Sequence, residues 1–507
     1  MKFDNSYATL DPRLYHKQPP TPLKNPQAGH FNPIIAKRIG WSDDVELMQN
    51  WVSILGGEVI PNGFAPLAMA YAGHQFGQWA GQLGDGRGLL MAQVRDNNDQ
   101  LIDLHLKGIG LTPYSRMGDG RAVLRSTIRE YLCGHAMTQL GIASSSALGF
   151  VVSDTAVRRE TIEAGAALLR VSDCHIRLGH VEWIASFAPD LLVEFTDYMI
   201  DTYYPDSRQA NYPVVDFLTQ VVKKTAIMIA NWQLIGFAHG VMNTDNLSIT
   251  GSTIDYGPFG FLERFNPAWI NNHSDYTGRY SYQNQPAIGH WNLNVWLPHF
   301  MRLTQAGVTK TALAECLAHY ETSFMQHYQH GICQKLGLAY PIQQPNESIS
   351  APDLATNRLA LTLAYDLLSI IEQNRLDYTN SFRALLAVID ASNFQHEHDL
   401  LQQLTLSLDA KQLKLWQDWK TRYLHYIDQY TEANEVVSTL QKHNPVYILR
   451  NAMAQRSIEM AEAGDFSEVE RLFQLLSNPY DVQNIATQAD VTPPAADAPE
   501  IVISCSS

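Results

Sequence analysis

Residues 239–260 concentrate side chains that handle divalent metals and phosphate. His239-Gly240-Val241-Met242-Asn243-Thr244-Asp245-Asn246-Leu247-Ser248-Ile249 is followed by Thr253-Ile254-Asp255-Tyr256-Gly257-Pro258-Phe259-Gly260. A short hairpin made of 247–249 and 252–254 would bring Asn246 and Asp255 together at its open end. A carboxylate and an amide oxygen are hard ligands, suited to Mg²⁺ bound with nucleotide phosphates. Asp245 would stay free to orient or deprotonate a hydroxyl. The same residues also suit an Asx-rich turn between strands.

Three further groups fit phosphate chemistry. Gly81-Gln82-Leu83-Gly84-Asp85-Gly86-Arg87-Gly88 can bring backbone N–H groups close to a phosphate, with Arg87 adding charge. It reads equally as a tight hairpin. Lys107 ends an alternating segment, and Glu130 follows 23 residues later. A strand lysine held by a helix glutamate can position nucleotide phosphates; apart, they are an edge lysine and a solvated glutamate. Arg170 and Arg177 offer forked guanidinium groups for phosphate oxygens, or ordinary surface charge. Asp119-Gly120-Arg121 could cap a helix or meet a ligand at its start. No G-x-x-x-x-G-K-[ST] occurs, which disfavours a P-loop. His327 with His330, and His396 with His398, make no H-E-x-x-H or other metal-ligating pattern.

The elements that must position these groups follow from periodicity. Strands are predicted at 89–94 and 101–107, the second alternating apolar and polar as a strand with one buried face does. A helix from Ala122 to Leu140 stops at Gly141. Short strands are expected at 167–172 and 176–181, a long helix at 214–235, and helices at 308–330, 354–375, 411–440 and 447–474. The fold class is α+β. The segments read as an N-terminal extension (1–60), a nucleotide-binding region (61–185), a region with the 239–260 loop and a helical extension (186–480), and a flexible tail (481–507) ending in Cys505.

Composition narrows the function. In 507 residues, 36 Lys+Arg against 51 Asp+Glu give a charge of −15, with 45% hydrophobic residues. That balance argues against a bulk electrostatic grip on nucleic acid or anionic membrane. No run of about 18 uninterrupted apolar residues suggests a membrane span. Five scattered cysteines without a C-x-x-C fit a reducing compartment, and the start lacks an apolar signal region. A cytoplasmic protein is expected; the sequence leaves its oligomeric state open, with a monomer favoured.

The order of Gly-rich loop, strand Lys, helix Glu, Asp/Asn loop and Asp-x-Gly is that of the protein-kinase fold. Residues 239–246 resemble its H-R-D-x-x-x-x-N loop and Asp255-Tyr256-Gly257 its D-F-G. Aligning His239 and Asn246 puts Val241 where a kinase has its catalytic aspartate, with Asp245 the only nearby replacement. More specifically, Tyr71-Ala72-Gly73-His74-Gln75-Phe76-Gly77, Gln82 to Arg87, Lys107-Gly108, Thr112 to Arg116, Gly118 to Arg121 and the 239–260 stretch resemble the selenoprotein O family over nearly the whole chain.

That resemblance implies a kinase-like bilobal fold with a largely helical C-terminal half. It implies ATP bound in reversed orientation and AMP, not phosphate, transferred to Ser, Thr or Tyr hydroxyls of proteins, with UTP also used by some bacterial members. It places Gly84, Gly86 and Arg87 in the nucleotide loop. Lys107, Asp119, Gly120, Arg170 and Arg177 would hold phosphates, with Glu130 pairing Lys107. Asn246 and Asp255 would bind Mg²⁺ or Mn²⁺, Asp255 also touching the nucleotide, and Asp245 would accept the proton. The alternatives are a kinase transferring the γ-phosphate and an inactive nucleotide-binding scaffold. Some members form a disulfide between the tail thiol and the activation-loop region; here 262–300 contains no cysteine, so Cys505 lacks that partner.

Overall fold

Seven residues from Leu101 to Lys107 form a strand at the bounds the alternation gives, yet every one of them is buried. Ile102, Leu104 and Leu106 enter an apolar layer that also holds Trp41, Leu89 and Val171. The polar face is covered as well. Asp103 accepts hydrogen bonds from Gln93 Nε2 (2.8 Å) and the His175 N–H (2.7 Å), so its burial is compensated. One buried face was expected; two are found, because other elements close over the polar side.

The computed structural model describes residues 1–340, 351–495 and 501–504. Among them the central strand belongs to a ten-stranded antiparallel sheet. Its main path runs through Tyr15–Lys17, Leu67–Gln75, Gly88–Arg95, Leu101–Lys107, Ile162–Ser172, Ser146–Arg158 and Gln27–Phe31, with Gln78–Gly84 paired to Leu67–Gln75. Ser146–Arg158 was not anticipated from the sequence. A helix, Leu124–Gln139, packs on the sheet and carries Glu130. The protein is thus mixed α/β, with helices dominating the C-terminal half.

Several expectations are corrected. Residues 176–181 are not a strand: Arg177 is extended, then the Leu178–Phe187 helix begins. The apolar run to Phe187 has helical period, and only the short bridge of Arg177 to Ser248 remains sheet-like. The 122–140 helix starts at Leu124, because Ala122–Val123 pairs with Ala166 and Gly165. Asp119 is therefore no cap; its carboxylate accepts from the Arg121 N–H (2.9 Å) and pairs with Arg159 (2.7 Å). The hairpin at 247–254 shrinks to one bridge, Leu247 to Thr253, with Thr253 also bridged to Ser144. The 411–440 and 447–474 helices each break in two, at 431–432 and 463–466. His396 and His398 sit in the helix Gln395–Leu406.

The expected flexible tail from 481 is seated over its described part. Asp490 is fully buried and paired with Arg456 and Arg471 (both 2.8 Å), and the Ile503 carbonyl accepts from the His273 N–H at 2.9 Å. Ion pairing at Asp490 and the buried Val491 and Ile503 side chains anchor the described part of this segment. Cys505 lies outside the described residues. Cys133, Cys174, Cys316 and Cys333 are buried free thiols.

Within the helix Ala351–Gln373, the segment Leu354–Gln373 is long and apolar enough to cross a membrane by length and composition. Its Leu363, Ala364, Leu367, Ile370 and Ile371 are instead core residues. Trp419 Nε1 donates to the Leu363 carbonyl (2.9 Å) and Arg422 pairs with Asp366 (2.7 Å), as in a helix packed on its neighbour.

Candidate active site

One cleft, with a cavity volume of ≈ 670 Å³, gathers Gly84, Gly86, Arg87, Lys107, Asp119, Gly120, Arg170, Arg177, Asp245, Asn246 and Asp255. Residues up to 171 positions apart in the chain thus share one lining. Eight Lys and Arg face it against four Asp, a local positive excess in a chain of charge −15. Such a cavity suits a polyanion.

The glycine turn sits between the strands Gln78–Gly84 and Gly88–Arg95. Gly84 has φ +147°, a backbone that side chains rarely adopt, and a Cβ there would collide with the Tyr114 ring. The 112–115 loop lies over this turn: Thr112 Oγ1 donates to the Asp85 carbonyl (2.7 Å) and Ser115 Oγ to the Gly86 carbonyl. The smallness of Gly84 and Gly86 is therefore spent at least partly on the Tyr114 loop.

Behind the turn lies a buried charge network. Glu130 stands outside the cleft lining but pairs with both Lys107 Nζ and Arg170 Nε. Arg170 Nη1 reaches Asp255 Oδ1 (2.9 Å), and Arg177 Nε reaches Asp255 Oδ2 (2.9 Å). Burial opposes the charge on Glu130, yet Arg170 and Lys107 outweigh it and hold the carboxyl at about 2. Burial likewise works against Asp255, and Arg177 and Arg170 keep it well below the usual range. Burial lowers Lys107 to about 8 against the pull of Glu130. Asp255 has φ +59°, so this carboxylate is placed by a strained backbone.

Asp245 differs from both. Its Oδ2 accepts from Gln75 Nε2 at 2.9 Å, while the buried Oδ1 has no hydrogen-bond partner among the described residues. Burial pushes its carboxyl up to about 7. The Thr244–Asn246 turn that carries it is tied down on two sides. Thr244 Oγ1 accepts from the His74 N–H (2.7 Å) and donates to Glu182 Oε2 (2.9 Å). Glu182 itself is pushed up to about 7 by burial. A Cβ on Gly73 would strike Asp245 Oδ1, so that glycine is needed for the carboxylate to lie where it does. Asn246 Nδ2 donates to the Val241 carbonyl (3.1 Å), which turns its Oδ1 away from that bond.

Sequence reasoning missed Gln75, Asp85 and Glu182 as parts of the site. Asp85 accepts from the Met69 N–H (3.0 Å) and lies 3.7 Å from Arg177, fixing the arginine from below. The signal for Glu182 was a lone carboxylate in the apolar run Val181-Glu182-Trp183-Ile184. Gln75 stood inside a quoted motif without a role.

The family model described as "Protein adenylyltransferase SelO" matches residues 1–477. The chain belongs to the SelO family. Among curated proteins it is 42% identical over 514 residues to "Protein nucleotidyltransferase YdiU" of Aliivibrio salmonicida, covering 100% of this chain and 99% of the relative. A protein of the same description from Vibrio vulnificus is 42% identical over 518 residues (100% and 99%). One from Erwinia tasmaniensis is 40% identical over 510 residues, covering both chains in full. The match runs through every segment that lines the cleft.

Proposed function

We propose that this chain transfers AMP from ATP, with UTP as a second donor, to Ser, Thr or Tyr hydroxyls of proteins and releases pyrophosphate. Its family makes it a protein adenylyltransferase, and the named relatives are protein nucleotidyltransferases. The single observation that carries the mechanism is Asp245: a buried carboxylate with one oxygen unpartnered, sharing a cleft with a cationic cradle.

In this reading Asp245 Oδ1 takes the proton of the acceptor hydroxyl, and Gln75 keeps Oδ2 occupied. A general base of this kind contributes about 10²–10⁴-fold. Arg170, Arg177, Lys107 and Arg87 meet the charge that develops on the β and γ groups as pyrophosphate leaves. Gly84 and Gly86 line the nucleotide turn, and Asp119 and Gly120 border the phosphates. Glu130 fixes Lys107 and Arg170.

Asn246 and Asp255 are the residues that would hold Mg²⁺ or Mn²⁺. The donor set fits: an amide oxygen and a carboxylate line the same cleft, two hard oxygen ligands for a cation that also uses phosphate oxygens. Bound there, the cation supplies charge neutralisation to the phosphates. Asp255 now accepts from two arginines, so phosphates that draw Arg170 and Arg177 outward would free its oxygens. The layout of sheet region, cleft and helical region supports a kinase-like bilobal arrangement. A cytoplasmic location fits the reading, which needs neither nucleic acid nor membrane as partner.

The test is label transfer from ATP carrying ³²P at the α or the γ position, with Mg²⁺ and a protein acceptor. Label retained from α alone supports the proposal, and Asp245→Ala should abolish it while nucleotide still binds. Label from γ alone would make the chain a kinase; none from either, with nucleotide bound, would make it a scaffold.

A further inference from the structure

The hairpin of Leu67–Gln75 and Gln78–Gly84 lines the cleft and has an unexpected residue at its tip. Gln75 pairs with Gln78, so Phe76-Gly77 is a two-residue turn. Both central φ values are positive, 51° and 82°, the combination of a type I′ turn. Such turns favour Asn-Gly or Asp-Gly, because a bulky residue at positive φ is strained. The chain keeps Phe76 there by satisfying its N–H twice, with Asn243 Oδ1 (3.1 Å) and Tyr280 Oη (2.9 Å) accepting. The ring gains little burial in return: it is 40% exposed, tilted beside Tyr280 with centroids 5.2 Å apart. Neither turn geometry nor core packing explains a phenylalanine at this position. Observed strain at a site edge points toward function.

Phe76 lines the cleft together with Gln75, Val241, Asn243 and Asp245. Resting on the AMP-transfer reading, the geometry of the nucleotide follows. The α-phosphorus must lie at Asp245, and the β and γ groups at Arg170 and Arg177. The nucleoside, attached at the α-phosphate, then starts beside Asp245, whose partner Gln75 is the chain neighbour of Phe76, and Phe76 is itself tied to Asn243. We infer that the Phe76 ring is the platform on which the nucleobase stacks, making it a specificity-determining residue of the nucleotide site. Base–aromatic stacking tolerates any base, because every base has a π-face. Such a platform serves ATP and UTP alike and favours the larger purine.

The experiment measures Mg²⁺-dependent binding of ATP, UTP and inorganic tripolyphosphate by calorimetry to the full chain and to Phe76→Asn, Phe76→Leu and Phe76→Trp. Asn suits the turn, so its melting temperature should match or exceed that of the parent. Leu keeps the strain and apolar bulk but not the flat ring. For Phe76→Asn and Phe76→Leu, ATP should bind about tenfold more weakly. UTP should lose less, tripolyphosphate nothing, and Phe76→Trp should bind ATP as the parent does. Unchanged ATP affinity in Phe76→Leu, or equal losses for ATP and tripolyphosphate, would overturn the inference. The α/γ label assay on the unaltered chain separates the two levels. Retained α-label with unchanged ATP affinity in the variants defeats the inference alone, whereas γ-label defeats the transfer reading and the stacking geometry with it.

Discussion

Among the described residues, two of the buried arginine–carboxylate clusters are built from the same residue types and sit in different surroundings. In the cleft, Arg170 and Arg177 meet Glu130 and Asp255, with Lys107 sharing Glu130. In the helical half, Arg450 meets Glu263 (2.5 Å) and Asp377 (2.9 Å). Arg177 and Arg450 are equally hidden, at 2% and 1% exposure. The carboxylates, however, move in opposite directions. Burial dominates at Glu263 and Asp377 and raises both, since one arginine serves two acids. In the cleft three cations face two acids, and both acids are held low. The Arg450 cluster is closed by backbone, its Nη2 donating to the Val491 carbonyl at 3.0 Å, and it ties the chain end to the 263–264 and 377–380 segments. The cleft cluster opens on a cavity with cationic charge to spare. Burial of a charge pair thus does not set the two apart; surplus cationic charge facing a cavity does.

The sharpest way to break this contrast begins with Asp245→Ala, expected to cut transfer by about 10³-fold with nucleotide binding retained, read by α-label transfer and calorimetry. Arg177→Ala should lower transfer by about 10²–10³-fold, with a modest drop in melting temperature because water can enter the cavity. Arg450→Ala should do the reverse. It leaves Glu263 and Asp377 buried without their cation, at a cost of about 3–5 kcal/mol, while activity per folded molecule is kept. Thermal denaturation beside single-turnover rates decides; equal behaviour of the two arginine variants would dissolve the distinction.

A smaller effect comes from pH. The Asp245 carboxyl is raised to about 7 in the folded chain, so its stabilising contribution is complete below its ordinary value and is lost as pH rises through about 7. Asp245→Asn should therefore raise the melting temperature at pH 8 and leave it nearly unchanged near pH 4. Transfer by the unaltered chain should climb through the same range as the base ionises. Smallest is Glu182. Glu182→Gln keeps an acceptor for Thr244 Oγ1 and should cost little, whereas Glu182→Ala frees the Thr244–Asn246 turn and should lower kcat about tenfold with KM for ATP unmoved.

Much of the site was legible in residue type and spacing. A strand lysine held by a glutamate 23 residues on was one of two readings of Lys107 and Glu130, and the two do pair. Adjacent Asp245 and Asn246, with Asp255 beyond, marked the loop chemistry. Arg177 was read onto a strand because Ile176 to Val181 alternates briefly, but it ends an extended stretch and opens a helix, its N–H donating to His180 Nδ1 at 2.9 Å. Glu182 and Gln75 gave weak signals because their partners, Thr244 and Asp245, are 62 and 170 residues away.

Residue type and order set the inventory of chemical groups, the periods that make strands and helices, and the missing side chains at Gly84 and Gly73 that leave room for Tyr114 and Asp245. These are local matters, set by side-chain type and by φ and ψ at one or a few residues. Packing between remote segments set which arginines converge on Asp255, which carboxylate is raised and which lowered, and that Phe76 lines the cleft. Desolvation and Coulomb interaction depend on everything packed around a group, and that surrounding is assembled from residues remote in the chain.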